Sequence, residues 1–150
     1  MTHSAIEDAF LAWSTASQAL DEPAERAALT AARRFIASSG ASGWEWLEAG
    51  LKDSQRRWFA AEIVSNLTLP RRLFEPFLIA AILERNPSAN RYLLEPCVKS
   101  AGAGRVLERL LSYLEMGSAA EKAGAASALY WVRFQPGEFP ELVQRIHRQM

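Results

Sequence analysis

Cysteine occurs once in the 150 residues, at Cys97, so no disulfide can form within the chain and a reducing, cytoplasmic setting is expected. Histidine occurs twice, at His3 and His147, each close to one end. A Ser-His-Asp or Cys-His constellation would have to draw on one of them, and neither place suits a rigidly held base. An excess of one charge is also missing, since 17 Lys and Arg balance 17 Asp and Glu. A grip on nucleic acid or an anionic membrane ordinarily rests on a basic excess. No apolar run reaches the roughly 20 residues of a membrane span. The strongest, FLIAAIL at 77–83, lies between Pro76 and Glu84 and reads as a buried helix segment. The opening MTHSAIEDAF has neither a basic n-region nor an apolar h-region, so no signal peptide is expected. Asn66-Leu67-Thr68 matches the glycosylation pattern by chance on this reading. Runs of H-x-x-x-H, C-x-x-C, D-x-D-x-D or G-x-G-x-x-G are absent, as is a phosphate loop. No catalytic residue, metal or cofactor is therefore assigned.

What the chain does have is helical period throughout. Ile6, Phe10, Trp13 and Ala16 or Ser17 share one helical face, and no segment alternates with period two for more than a few residues. Asp21-Glu22-Pro23 marks a second start, and that helix runs to Gly40. Further starts are expected at Ser42-Gly43, Asp53-Ser54 and Thr68, with breaks at Asn86-Pro87-Ser88, Gly102 with Gly104, and Gly117-Ser118. Ser118 and Glu121 have capping-box spacing. Helices of about 10 to 17 residues joined by short turns imply antiparallel pairs. The whole of 1–150 reads as a single all-α domain.

These pairs are in register with one another. Arg57-Trp58-Phe59 aligns with Arg91-Tyr92-Leu93 after 34 residues, and Lys122-Ala123-Gly124 follows after a further 31. The preceding helices agree: LEAGL at 47–51, FLIAAIL at 77–83 and LERLLSYL at 107–114 each end shortly before a polar turn. A two-helix unit with this period is the mark of an α-solenoid.

Pro76, Glu84 or Asn86, and Arg91 in the third unit, with Asp53 and Arg57 in the second, resemble the proline, turn acid and arginine of HEAT-like repeats. The resemblance spans about 43–134, and DEPAERAA in the first unit departs from it. It implies a right-handed superhelix of about four helix pairs, near 4–39, 43–67, 70–100 and 103–134, with a capping helix at 138–150. It also implies a non-enzymatic scaffold or adaptor that holds another protein along the concave surface of its second helices. The tentative partner-binding residues are Arg57, Trp58, Arg91, Tyr92, Lys122 and Tyr130. The ladder Arg57, Arg91, Lys122 has a structural alternative, since in such repeats this residue braces the turn. The functional alternative is nucleic-acid binding, because one branch of HEAT-like solenoids are alkylpurine DNA glycosylases. Asp53 and Trp58 would be its counterparts here, but they fall at a turn and in a core-like register.

Other features have plainer expected roles. Cys97 packs as a small hydrophobe. Glu95 pairs with Arg91 four residues before it, and Pro76 and Pro96 each bend a helix. Trp44 and Trp46 cannot share a helix face, so at least one is partly exposed. The amphipathic helix with Leu142, Val143 and Ile146 caps the end or meets a second copy in a homodimer. Gly124, in the thin helix SAAEKAGAASALYW, admits a close neighbour, for which the Leu142 and Ile146 helix is the candidate.

Overall fold

The computed structural model describes residues 2–65 and 67–150, with the backbone alone at 2–4. The His3 side chain and the sequon residue Asn66 lie outside the described residues. The described residues form nine α-helices and no strand. In order they are α1 (Thr2–Gln18), α2 (Glu22–Ser39), α3 (Ala41–Gly50), α4 (Arg56–Val64), α5 (Phe74–Leu83), α6 (Arg91–Ala101), α7 (Ala103–Met116), α8 (Ala119–Leu129) and α9 (Pro140–Gln149). No helix among them is long and apolar enough to cross a membrane. The chain divides into two compact units, 1–66 and 67–150.

In the first unit α1 and α2 form the most extensive pairing, and α3 and α4 pack on both. Its helix starts follow capping chemistry. The Asp21 carboxylate accepts from Ala24 N at 3.2 Å, satisfying a first-turn donor of α2. Asp53 accepts from the backbone N–H groups of Gln55 and Arg56 at 3.1 and 2.8 Å. The Arg56 N–H above all holds the Asp53 carboxyl below its ordinary range. Ser42-Gly43 does not start a helix. Gly40, at φ +60°, makes the break, and Gly43 lies inside α3, where a Cβ would stand 2.9 Å from Ile36 Cγ1. The core gathers four rings: Phe59 lies 5.7 Å from Phe10, 5.2 Å from Trp13 and 6.1 Å from Trp46. Trp46 is buried and Trp44 half-buried, as their two-residue spacing requires. Arg56 covers the Phe10 ring at 4.6 Å and pairs with Glu7. Arg33 donates to the carbonyls of Glu62 at 2.7 Å and Ile63 at 3.1 Å, neutralising the negative end of α4.

In the second unit the closest approaches are α5–α6, α6–α7, α7–α8 and α5–α8, with α9 on α7. Stacked helix pairs would set α5 beside α7 and α6 beside α8. Here α5 reaches α7 through side chains, Glu75 accepting from Arg109 and from Tyr113 Oη at 3.4 Å. Pro76 does not bend a helix interior: α5 begins at Phe74, after a 3-10 turn at Arg71–Leu73, so Pro76 occupies the first turn, where no N–H is needed. Pro96 does lie inside α6 and removes the N–H that would bond to Tyr92 O.

Both bonds of the capping box at Ser118 and Glu121 form, at 2.8 and 3.2 Å. The helix they start, α8, is thin because of α5. A Cβ on Gly124 would stand 1.8 Å from Ile82 O. The neighbour admitted by Gly124 is thus α5, not the C-terminal helix. That helix, α9, packs on α7 with Ile146 buried and Arg145 bonded to Glu115 at 2.9 Å. Phe139 enters it in the left-handed region, at φ +53°, and its ring lies against Gly104.

Candidate functional site

The six candidate residues divide between the units. Arg57, in the first turn of α4, donates from Nε to Leu51 O at 2.9 Å and braces the turn between α3 and α4. This is the structural alternative of the arginine ladder. Trp58 beside it is half-buried. Arg91, Tyr92, Lys122 and Tyr130 belong to the second unit. Lys122 sits in the first turn of α8 and Tyr130 at its C-cap. Eight residues of helix separate them by about 12 Å along the axis, so Lys122 stands apart from the other three.

Arg91 and Tyr130 both meet Trp131, and Tyr92 adjoins Arg91. Arg91 opens α6, and its guanidinium lies over Tyr92 at 4.8 Å and over Trp131 at 5.3 Å. Its Nη2 donates to Tyr92 Oη at 3.3 Å. Tyr130 meets Trp131 edge to face at 4.8 Å and 87°. The Trp131 indole N–H donates to Pro87 O at 2.9 Å, tying the end of α8 to the turn before α6. Asn90, fully buried, makes a second tie, donating from Nδ2 to Ser127 Oγ at 3.2 Å. The patch is therefore held by two cross-links between segments about 40 residues apart. Tyr130 is 81% exposed and Tyr92 49%, against the ordinary tendency of such rings to be covered.

Arg91 does not pair with Glu95. Among the described residues no carboxylate pairs with it, and its Nε is buried without an acceptor. Stacking on two rings draws the guanidinium to Tyr92 and Trp131, away from the position four residues along its own helix. Three N–H groups at the start of α6 are occupied: Tyr92 N bonds Ala89 O, and Leu93 N and Leu94 N bond Asn90 O. The positive charge at this helix start comes from a side chain, with no acidic residue in the first turn to offset the dipole.

Trp131, Asn90, Ser127 and Pro87 are the members of this site that spacing alone does not reveal. Trp131 reads as core packing at helical spacing, and the Asn-Pro-Ser turn reads only as a break. The one signal is the pair of cation or aromatic dipeptides, Arg91-Tyr92 and Tyr130-Trp131, at the start and end of second helices.

Elsewhere the chemistry is that of packing. No group of three or more His, Cys, Asp or Glu is placed to hold a metal among the described residues. Cys97 is buried, its thiol 3.6 Å from the carbonyls of Phe74 and Leu93, and burial, with Glu75 adding to it, pushes the thiol pKa far up. A neutral, enclosed thiol is a poor nucleophile. In native protein Cys97 is expected to react with a disulfide reagent at pH 8 only as fast as the unit opens. A stoichiometric burst on mixing would contradict this. No family model, curated protein or solved structure matches the chain.

Proposed function

We propose that the chain is a non-enzymatic, cytoplasmic protein-interaction module that uses the α6 and α8 surface of its second unit. The observation that carries this reading is the Arg91–Tyr92–Tyr130–Trp131 patch. Arg, Tyr and Trp dominate the binding energy of protein interfaces, and here the two tyrosines are exposed and the set is pre-ordered, which lowers the entropic cost of association. The resemblance to HEAT-like repeats supports the reading through the sequence register of Arg57, Arg91 and Lys122. The α5–α8 approach is the element that this resemblance leaves unaccounted for. The single buried thiol suits a reducing compartment.

Nucleic acid is less well matched. A grip on a phosphate backbone draws on several cations along a track, whereas Lys122 stands apart from the patch and Arg57 is committed to its turn. The test pairs two measurements. Immobilised chain should retain, from nuclease-treated extract of its own cells, a protein that the Tyr92→Ala, Tyr130→Ala double variant does not retain. Titration with single- and double-stranded DNA at physiological salt should show no binding that Arg91→Ala removes. Tyr92 and Tyr130 are exposed enough for the double variant to keep the wild-type melting temperature. Equal retention by both proteins, or micromolar DNA binding lost with Arg91, would overturn the assignment.

A further inference from the structure

The charge state of the patch specifies more than a generic partner, and the following rests on the interaction reading above. Arg91 is half-buried, faces two rings, and has no carboxylate partner among the described residues. Its Nε is enclosed without an acceptor, a costly arrangement for a charged donor in the unliganded protein. It stands in the first turn of α6, where the helix dipole disfavours a cation. An anion docked against the outer guanidinium nitrogens supplies the missing carboxylate and offsets the unfavourable dipole. The N–H groups of Tyr92, Leu93 and Leu94 are already bonded, so the Arg91 side chain is the main donor at this helix start.

We infer that the patch recognises an acidic peptide segment of a partner protein, a Glu or Asp carboxylate lying on the Arg91 guanidinium while an adjacent aromatic side chain stacks on Tyr130. A planar carboxylate matches the fork of an arginine, and the two rings flanking Arg91 keep that fork from rotating. Tyr130, four-fifths exposed and set edge to face on Trp131, presents an uncovered ring next to the indole on which Arg91 stacks. One cation bordered by rings fits one carboxylate next to an apolar residue better than a run of phosphates. The two ties, Trp131 to Pro87 and Asn90 to Ser127, fix the spacing between the anion site and the ring site.

The test is a ¹H–¹⁵N titration of the full chain with the blocked tripeptide acetyl-Phe-Glu-Phe-amide, followed by its Gln counterpart. The reporters are the Trp131 indole N–H and the Arg91 Nε–H, both part of the patch itself. The Glu peptide should shift both signals saturably, and the Gln peptide should bind at least about fivefold more weakly, the loss of one charge-assisted contact. Arg91→Gln should erase that preference at unchanged melting temperature, and Tyr130→Ala, at an exposed position, should weaken both peptides alike. Equal binding of the two peptides would overturn the anion inference while leaving a protein-binding patch in place. No saturable shift from either peptide would also overturn the inference, with the retention experiment still deciding the broader reading. Shifts of the same two signals by oligo-dT that exceed those by the Glu peptide would overturn both.

Discussion

Gly124→Ala is expected to lower the melting temperature by several degrees, although the same change favours an isolated helix. Propensity alone would stabilise α8 by about 1 kcal/mol. Packing acts in the opposite direction and is stronger. The added Cβ would fall 1.8 Å from Ile82 O, 2.7 Å from Ile82 C and 2.9 Å from Ile82 Cγ2. Two of these atoms are backbone, so no rotamer change clears them and α5 or α8 must shift. Overpacking of this kind costs roughly 1–3 kcal/mol, occasionally more, and in a chain of 150 residues each kcal/mol moves the midpoint by about 2–4 °C. Gly124→Leu should cost more still. Ile82→Ala in the Gly124→Ala background removes Cγ2 but leaves the carbonyl, so it should give no rescue. The sign decides the matter, and a Gly124→Ala protein that melts higher than wild type would show that α5 and α8 are not in contact there. Because Tyr130 and Trp131 close the same helix, a shifted α8 should also move the Trp131 indole N–H resonance from its bonded position against Pro87.

Which features were legible in the sequence follows from how local their causes are. The starts at Asp21, Asp53 and Ser118 depend on a side chain reaching an N–H two or three residues on, and all three form. The nine helices of the described residues follow from helical period and turn residues, which are also local. Gly43 reads in the sequence as a helix start and Pro76 as a bend, and neither role holds. Glycine also serves close approach, as Gly43 does beneath Ile36, and proline is harmless in a first turn, where Pro76 sits. Beyond the helix the information thins. A run of small residues announces that something comes near Gly124, but not that it is α5 rather than α9. The meeting of Arg91 with Trp131 required knowing that the start of α6 lies against the end of α8. The i,i+4 rule placed Glu95 with Arg91 because it ranks neighbours on one helix, and it carries no knowledge of two rings at 4.8 and 5.3 Å.

Phe59→Ala is expected to destabilise the first unit by about 3–5 kcal/mol, the range for truncating a buried Phe. Phe59 is fully buried and adjoins the rings of Phe10, Trp13 and Trp46 at 5.7, 5.2 and 6.1 Å. Removing it leaves a cavity walled by large, rigid side chains that collapse poorly, and each aromatic pair lost adds about 0.5–1.5 kcal/mol beyond area. Phe59→Leu keeps most of the volume and should recover more than half of the loss. Trp58→Ala, one residue away on a half-buried face, should cost clearly less than Phe59→Ala despite deleting the larger side chain. Urea unfolding followed by far-UV circular dichroism measures all three, with midpoints compared at unchanged slope. Comparable losses for Trp58→Ala and Phe59→Ala would overturn the assignment of Phe59 as the buried ring of α4. The three residues aligned in the sequence, Phe59, Leu93 and Gly124, differ in size for a physical reason. Phe59 and Leu93 are fully buried among side chains, so bulk is needed there to fill space. Gly124 faces the carbonyl of Ile82, so any side chain at all is excess. Phe59 thus supplies bulk where rings surround it, and Gly124 supplies none where a backbone carbonyl approaches.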